Sequence, residues 1–132
     1  MNFLSNYPTE VLILLFLTIT FIQSGADKLL DWKGNLSFIK EHFKNSPLKN
    51  CVPILLGVIL VLEIIAGIFM AIGVYQLYTS EAKEIALLGI ELSAMTLIFL
   101  LIGQRLAKDY AGAMSLAVYF IITLLGVSLL NS

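Results

Sequence analysis

Four long apolar stretches, residues 8–26, 53–77, 85–103 and 110–130, alternate with charged segments. At a rise of about 1.5 Å per residue, a helix over each stretch reaches roughly the 30 Å of a bilayer's hydrocarbon core. With a mean hydropathy of +0.95 and 13% charged residues, the chain lacks the polar surface that a water-soluble fold of this length needs. The expected fold is an all-α integral membrane protein. It has four transmembrane helices in an up-down bundle, within a single domain over residues 1–132.

Orientation follows from the basic residues. Four spans put the N-terminus, the 78–84 connection and the C-terminus on one face, where Lys83 is the only basic residue. The opposite face receives Lys28, Lys33, Lys40, Lys44, Lys49, Arg105 and Lys108. An excess of Lys and Arg marks the cytoplasmic side, so both termini are expected outside the cytoplasm. Residues 1–10 carry no basic residue, and no clear small-residue cleavage site follows, so the first helix is expected to be retained. A net charge of −1 and the absence of a long basic tract argue against nucleic acid as a partner. The lipid bilayer is the first partner implied.

The one long connection, residues 29–50, has a helical pattern of its own. Trp32, Leu36, Ile39 and Phe43 recur on one side, with Lys33, Lys40, Glu41 and Lys44 on the other, and Ser46-Pro47 stops the helix. This predicts a short amphipathic helix between the first and second spans. It either lies on the cytoplasmic leaflet or packs over the bundle.

Absences restrict the chemistry. Cys51 and His42 are each the single residue of their type, so one chain offers neither dithiol exchange, nor a bis-histidine haem, nor a zinc site of ordinary composition. No nucleophile elbow, phosphate loop or metalloprotease motif is present. The catalytic residues are therefore unknown, no metal is expected, and no self-contained enzyme is indicated. Any redox role would use an external or lipid-soluble cofactor.

The informative residues are the polar ones inside the spans. Glu63 lies about ten residues into the second span and Glu91 about seven into the third, depths of roughly 15 and 10 Å. An acid at such depth costs about 2.5 to 3.5 kcal/mol on insertion scales, so each must be neutral, paired or facing a polar cavity. Glu63 is expected to be largely neutral at pH 7 and to point into the bundle, because an unpaired carboxylate at that depth would bear a heavy desolvation penalty. Both acids are candidates for handling a proton or hydrogen-bonding a carbonyl ligand, and both could instead be interhelical fasteners. Ala66, Gly67 and Met70 share the Glu63 face, while Gly112, Ser115, Tyr119, Thr123 and Gly126 form a seam on the fourth span. On the third, Gly89, Ser93 and Thr96 stand opposite Glu91, which suggests that one face of this helix meets another protein.

At the basic face, Thr20, Gln23, Ser24, Asp27 and Asp31 make a polar stripe on the first helix, near the loop that carries Arg105, Lys108 and Asp109. The expectation is an ion-pair cluster of Asp27, Lys28, Arg105, Lys108 and Asp109 fastening the helix ends. The alternative is a mouth for an anionic or quinone-like head group. Gln23, Ser24 and Tyr119 join Glu63 and Glu91 as ligand candidates.

Three motifs in order carry a family resemblance. Phe21-Ile22-Gln23-Ser24-Gly25-Ala26-Asp27-Lys28-Leu29 resembles the end of the first helix in the DoxX family of small bacterial inner-membrane proteins. Leu62-Glu63-Ile64-Ile65-Ala66-Gly67 with Gly73 resembles its second-helix pattern, and the Gln104–Ala113 stretch resembles the third connection in some branches. The resemblance implies a four-helix protein of the bacterial inner membrane, from a family named after a subunit associated with a terminal quinol oxidase. It also implies links to quinone-coupled thiosulfate oxidation and oxidative-stress complexes, with Glu63, Ser24, Gly25 and Lys28 on family motif positions. The function expected is a small accessory or quinone-proximal subunit of a redox-linked complex, with quinone as the implied cofactor. Its partners would be other membrane subunits or further copies of itself. A compact proton or ion pathway through Glu63 and Glu91, and a purely structural assembly subunit, are the competing readings.

Overall fold

A computed structural model describes residues 6–131. Within them lie five helices and no strand: α1 (Pro8–Leu30), α2 (Trp32–His42), α3 (Val52–Ser80), α4 (Glu84–Leu106) and α5 (Tyr110–Leu130). Four of these, all but α2, are long and apolar enough to cross a membrane. The chain is thus a multi-pass membrane protein, with the short intervening helix where its periodicity predicts it.

Each span starts and stops for a local reason. Pro occupies the first turn of α1 and of α3, where its missing N–H costs nothing and its fixed φ suits the helix. Asp109 caps α5 by accepting from the Gly112 N–H at 2.9 Å. Asp31 caps α2 in the same way through the Gly34 N–H. Helices α1, α3 and α4 run a few residues beyond their apolar stretches. At 29 residues and about 43 Å, α3 exceeds the hydrocarbon core and must tilt or protrude.

The bundle closes as a ring. α3 packs most extensively on α4 and α1, α4 also packs on α5, and the weaker α1–α5 seam completes the circle. Leu14, Leu17, Ala66, Met70, Leu77, Ala86 and Ile90 fill its centre. The tightest approach is between α3 and α4. A methyl on Gly73 would overlap the Ala86 backbone, and one on Gly89 would stand 2.8 Å from the Met70 nitrogen. The α5 seam is only half buried. Thr123 and Gly126 face the core, whereas Ser115 is exposed.

The two faces are distinguishable. At one, Asn6 Nδ2 donates to Glu81 Oε1 at 2.9 Å, and Lys83 lies 5.1 Å from the Tyr7 ring centroid, tying the start of α1 to the α3–α4 turn. The other, the basic face, carries α2 and the α4–α5 turn. α2 rests against α1 and α3 and has no fully buried residue. Phe38 on it is 67% exposed.

Candidate functional site

Side chains on an α-helix lean toward its N-terminus. Since α1 and α3 are antiparallel, Lys28 leans from the basic face into the membrane, while Glu63 leans from the interior toward the basic face. They meet. Lys28 Nζ lies 2.8 Å from Glu63 Oε1 and 2.7 Å from Ser24 Oγ, and the Ser24 hydroxyl donates to Glu63 Oε2 at 2.7 Å. Both carboxylate oxygens are therefore engaged, and the pair is largely buried, with side-chain exposures of 15% for Lys28 and 6% for Glu63. Glu63 points into the bundle, and of the three ways an acid at that depth can be accommodated the structure shows a partner, a lysine and a serine holding its carboxyl. The third ammonium proton has only a long 3.4 Å contact to the Ser24 carbonyl, leaving Lys28 with capacity to donate.

A second polar group forms where α2 returns to the bundle. His42 Nε2 stands 3.2 Å from Gln104 Oε1 and 3.3 Å from Asp109 Oδ2. Both neighbours are acceptors, so Nε2 is the ring nitrogen placed to donate to them. The imidazole is stacked on Phe38 at 5.9 Å between centroids and meets the edge of Phe43 at 5.4 Å.

Between these two groups lies a cavity of about 530 Å³. Its walls are apolar, with Phe38, Phe43, Leu55, Leu56, Ile59 and Phe99 among them, and its polar points are Lys28, His42, Gln104 and Asp109. It lies between α2, the first turns of α3 and the end of α4. An otherwise apolar hollow of this size with a few polar groups has the general form of pockets that take small molecules.

The remaining sequence candidates are dispersed. Gln23 and Glu91 are exposed on the outer surfaces of α1 and α4, and Tyr119 packs its ring 6.1 Å from Phe16. The five-residue ion-pair cluster does not form. Lys28 goes to Glu63, Asp109 to His42, and Arg105 lies over the Tyr110 ring at 5.2 Å. Lys108 takes a left-handed conformation at φ 62° in the turn, and Asp27 is exposed, with its carbonyl accepting from Asn35. His42 and Gln104, absent from the sequence candidates, are the residues the structure adds. The signal for them was the position of His42 at the end of the amphipathic helix, on the same membrane face as the 104–109 turn. Among the described residues, no group of three potential metal ligands comes together.

The DoxX family model matches residues 11–104, most of the chain and both partners of the Lys28–Glu63 pair. The chain belongs to the DoxX family. The match stops at residue 104, so the α4–α5 turn and α5 lie outside it. No curated protein and no solved structure matches the chain.

Proposed function

We propose that this chain is a small subunit of a redox-linked complex in the bacterial inner membrane, and that it binds a quinone-like ring in the cavity under α2. The orientation that goes with this reading puts the basic face in the cytoplasm and both termini outside. The observation that carries it is the apolar cavity with a donor, Lys28 Nζ, and a histidine–carboxylate pair, His42–Asp109, among its lining groups. A quinone presents an apolar ring and two carbonyl acceptors. The ammonium can donate to a carbonyl, Phe38 and Phe43 offer aromatic surface, and the imidazole can pass a proton as the ring changes protonation. Electrons would come from or go to a partner subunit, with the chain positioning the ring and its protons. The family resemblance supports quinone over other small apolar ligands.

A proton path through Glu63 and Glu91 within one chain gains no support from the geometry, because one carboxyl is inside the bundle and the other is outside. The test is a titration of the purified chain with a short-tailed quinone, followed through the emission of Trp32, which sits beside Gly57 on α3. Saturable quenching is expected. His42→Ala should weaken it by roughly tenfold, as should Ile59→Phe by filling the cavity, whereas Gln23→Ala leaves it unchanged. Quenching that never saturates, or that ignores both cavity variants, would refute the assignment.

A further inference from the structure

Glu91 stands about seven residues, or roughly 10 Å, along α4 from its start, within the depth of the hydrocarbon core. It is exposed on the outer surface of the bundle, and it has no ion pair or hydrogen bond to another described residue. The buried side of the same helix is formed by Gly89, Ser93 and Thr96. Lipid tails offer this carboxyl nothing, and head groups do not reach its depth.

Along α4, the exposed residues Glu84, Leu88, Glu91, Met95, Ile98 and Ile102 recur at alternating intervals of four and three. That is the spacing of a helix seam that packs against another helix, knobs into holes. Apart from Lys28, whose ammonium is held by Glu63 inside its own bundle, every Lys and Arg of the chain lies near a membrane face, so a second copy brings no basic side chain to the outer surface at the depth of Glu91. The group a second copy does offer at that depth is Glu91 itself. A protonated carboxyl carries one donor and acceptor capacity, so two of them facing each other satisfy both donors. Copies of one chain share a membrane orientation, so the axis of a closed pair runs along the membrane normal, and each seam residue meets its own counterpart at equal depth.

We propose that α4 is a self-association surface: two copies of this chain pair along the Leu88–Met95–Ile98–Ile102 seam, with their Glu91 carboxyls hydrogen-bonded to each other inside the membrane. The seam meets the cavity only at its end, where Ile102 also lines it, and the inference does not rest on what the cavity binds.

The full chain, labelled with donor and acceptor dyes at the exposed Cys51, is reconstituted in phosphatidylcholine vesicles and diluted with lipid. Energy transfer should follow a monomer–dimer equilibrium. Glu91→Leu should weaken association by roughly tenfold, while Glu91→Gln, whose amide also both donates and accepts, should retain it. In a Cys51→Ser background, Met95→Cys should cross-link to its counterpart on mild oxidation and Ile121→Cys, exposed on α5, should not. The proposal is overturned by a wild-type chain that stays monomeric across the dilution, which would point to a foreign partner for Glu91. Association unchanged in Glu91→Leu, or cross-linking as efficient at Ile121→Cys as at Met95→Cys, would also overturn it.

Discussion

Glu63 and Glu91 are the same residue type at similar membrane depth, yet the fold treats them in opposite ways. Glu63 is enclosed between α1 and α3 with Lys28 and Ser24 on its two oxygens, while Glu91 projects from α4 with no partner on another element. Hydropathy alone cannot separate them, because depth is one coordinate and helix rotation another. The rotation of Glu63 is fixed by Ala66, Gly67 and Met70, all buried with it on one face of α3. That of Glu91 is fixed by Gly89, Ser93 and Thr96, which take the inner face of α4 and turn the acid outward. An intramembrane acid is therefore a signal of polar company, and the small residues around it tell whether that company is internal.

The largest effect should come from removing the internal partner. Lys28→Met leaves the Glu63 carboxylate buried beside an apolar side chain, and breaking a buried pair this way costs about 3–5 kcal/mol. Thermal unfolding in detergent should show a large fall in Tm, and the double variant Lys28→Met with Glu63→Leu should recover most of it, because the uncompensated charge is gone. A cost below about 1 kcal/mol for Lys28→Met would mean that the pair is not held in the membrane, and the contrast between the two acids would collapse.

The two faces of α4 allow a second test on a single helix. Gly89→Val places its side chain against the Met70 and Phe69 backbone, which cannot withdraw as a side chain could. Overpacking of this kind costs about 1–3 kcal/mol, whereas Leu88→Val, one residue away on the exposed face, should leave unfolding nearly unchanged. Equal effects at the two positions would contradict the assigned rotation of α4.

Much of this arrangement was legible in the chain and some was not. The spans, the small α2 helix and the inward face of Glu63 follow from apolar run length and from period. The helix ends did not, since residues 27–30 and 104–106 continue their helices through polar sequence. The partner of Lys28 was missed because depth alone set it beside the α4–α5 turn, whereas its four-carbon stem leans back along α1 toward the interior. His42 was missed because a single histidine has no partner in its own sequence neighbourhood. Gln104 and Asp109 reach it only because α2 folds back over the basic face.

Ser24→Ala is a smaller intervention at the internal acid. It removes the hydroxyl that donates to Glu63 Oε2 while leaving Lys28 on Oε1, so one charge-assisted hydrogen bond is lost. The expected loss is about 1.5–3 kcal/mol, read as a fall in Tm smaller than that of Lys28→Met. If Ser24→Ala matched Lys28→Met, the serine rather than the lysine would be the principal partner of the carboxylate.

The smallest effect on the folded monomer is expected at Glu91. Glu91→Leu removes an acid that costs about 2.5–3.5 kcal/mol to place in lipid, but that cost is borne by the inserted helix before the bundle assembles as well as after. It cancels when unfolding is measured between two membrane-inserted states. No hydrogen bond to another described residue is lost, and the leucine continues the apolar surface already formed by Leu88, Met95 and Ile98. The monomer's unfolding free energy, measured at high dilution in detergent, should therefore stay within about 0.5 kcal/mol of wild type, as for surface substitutions elsewhere. A loss of 2 kcal/mol or more would place the carboxyl in a contact inside its own bundle and erase the difference between the two glutamates.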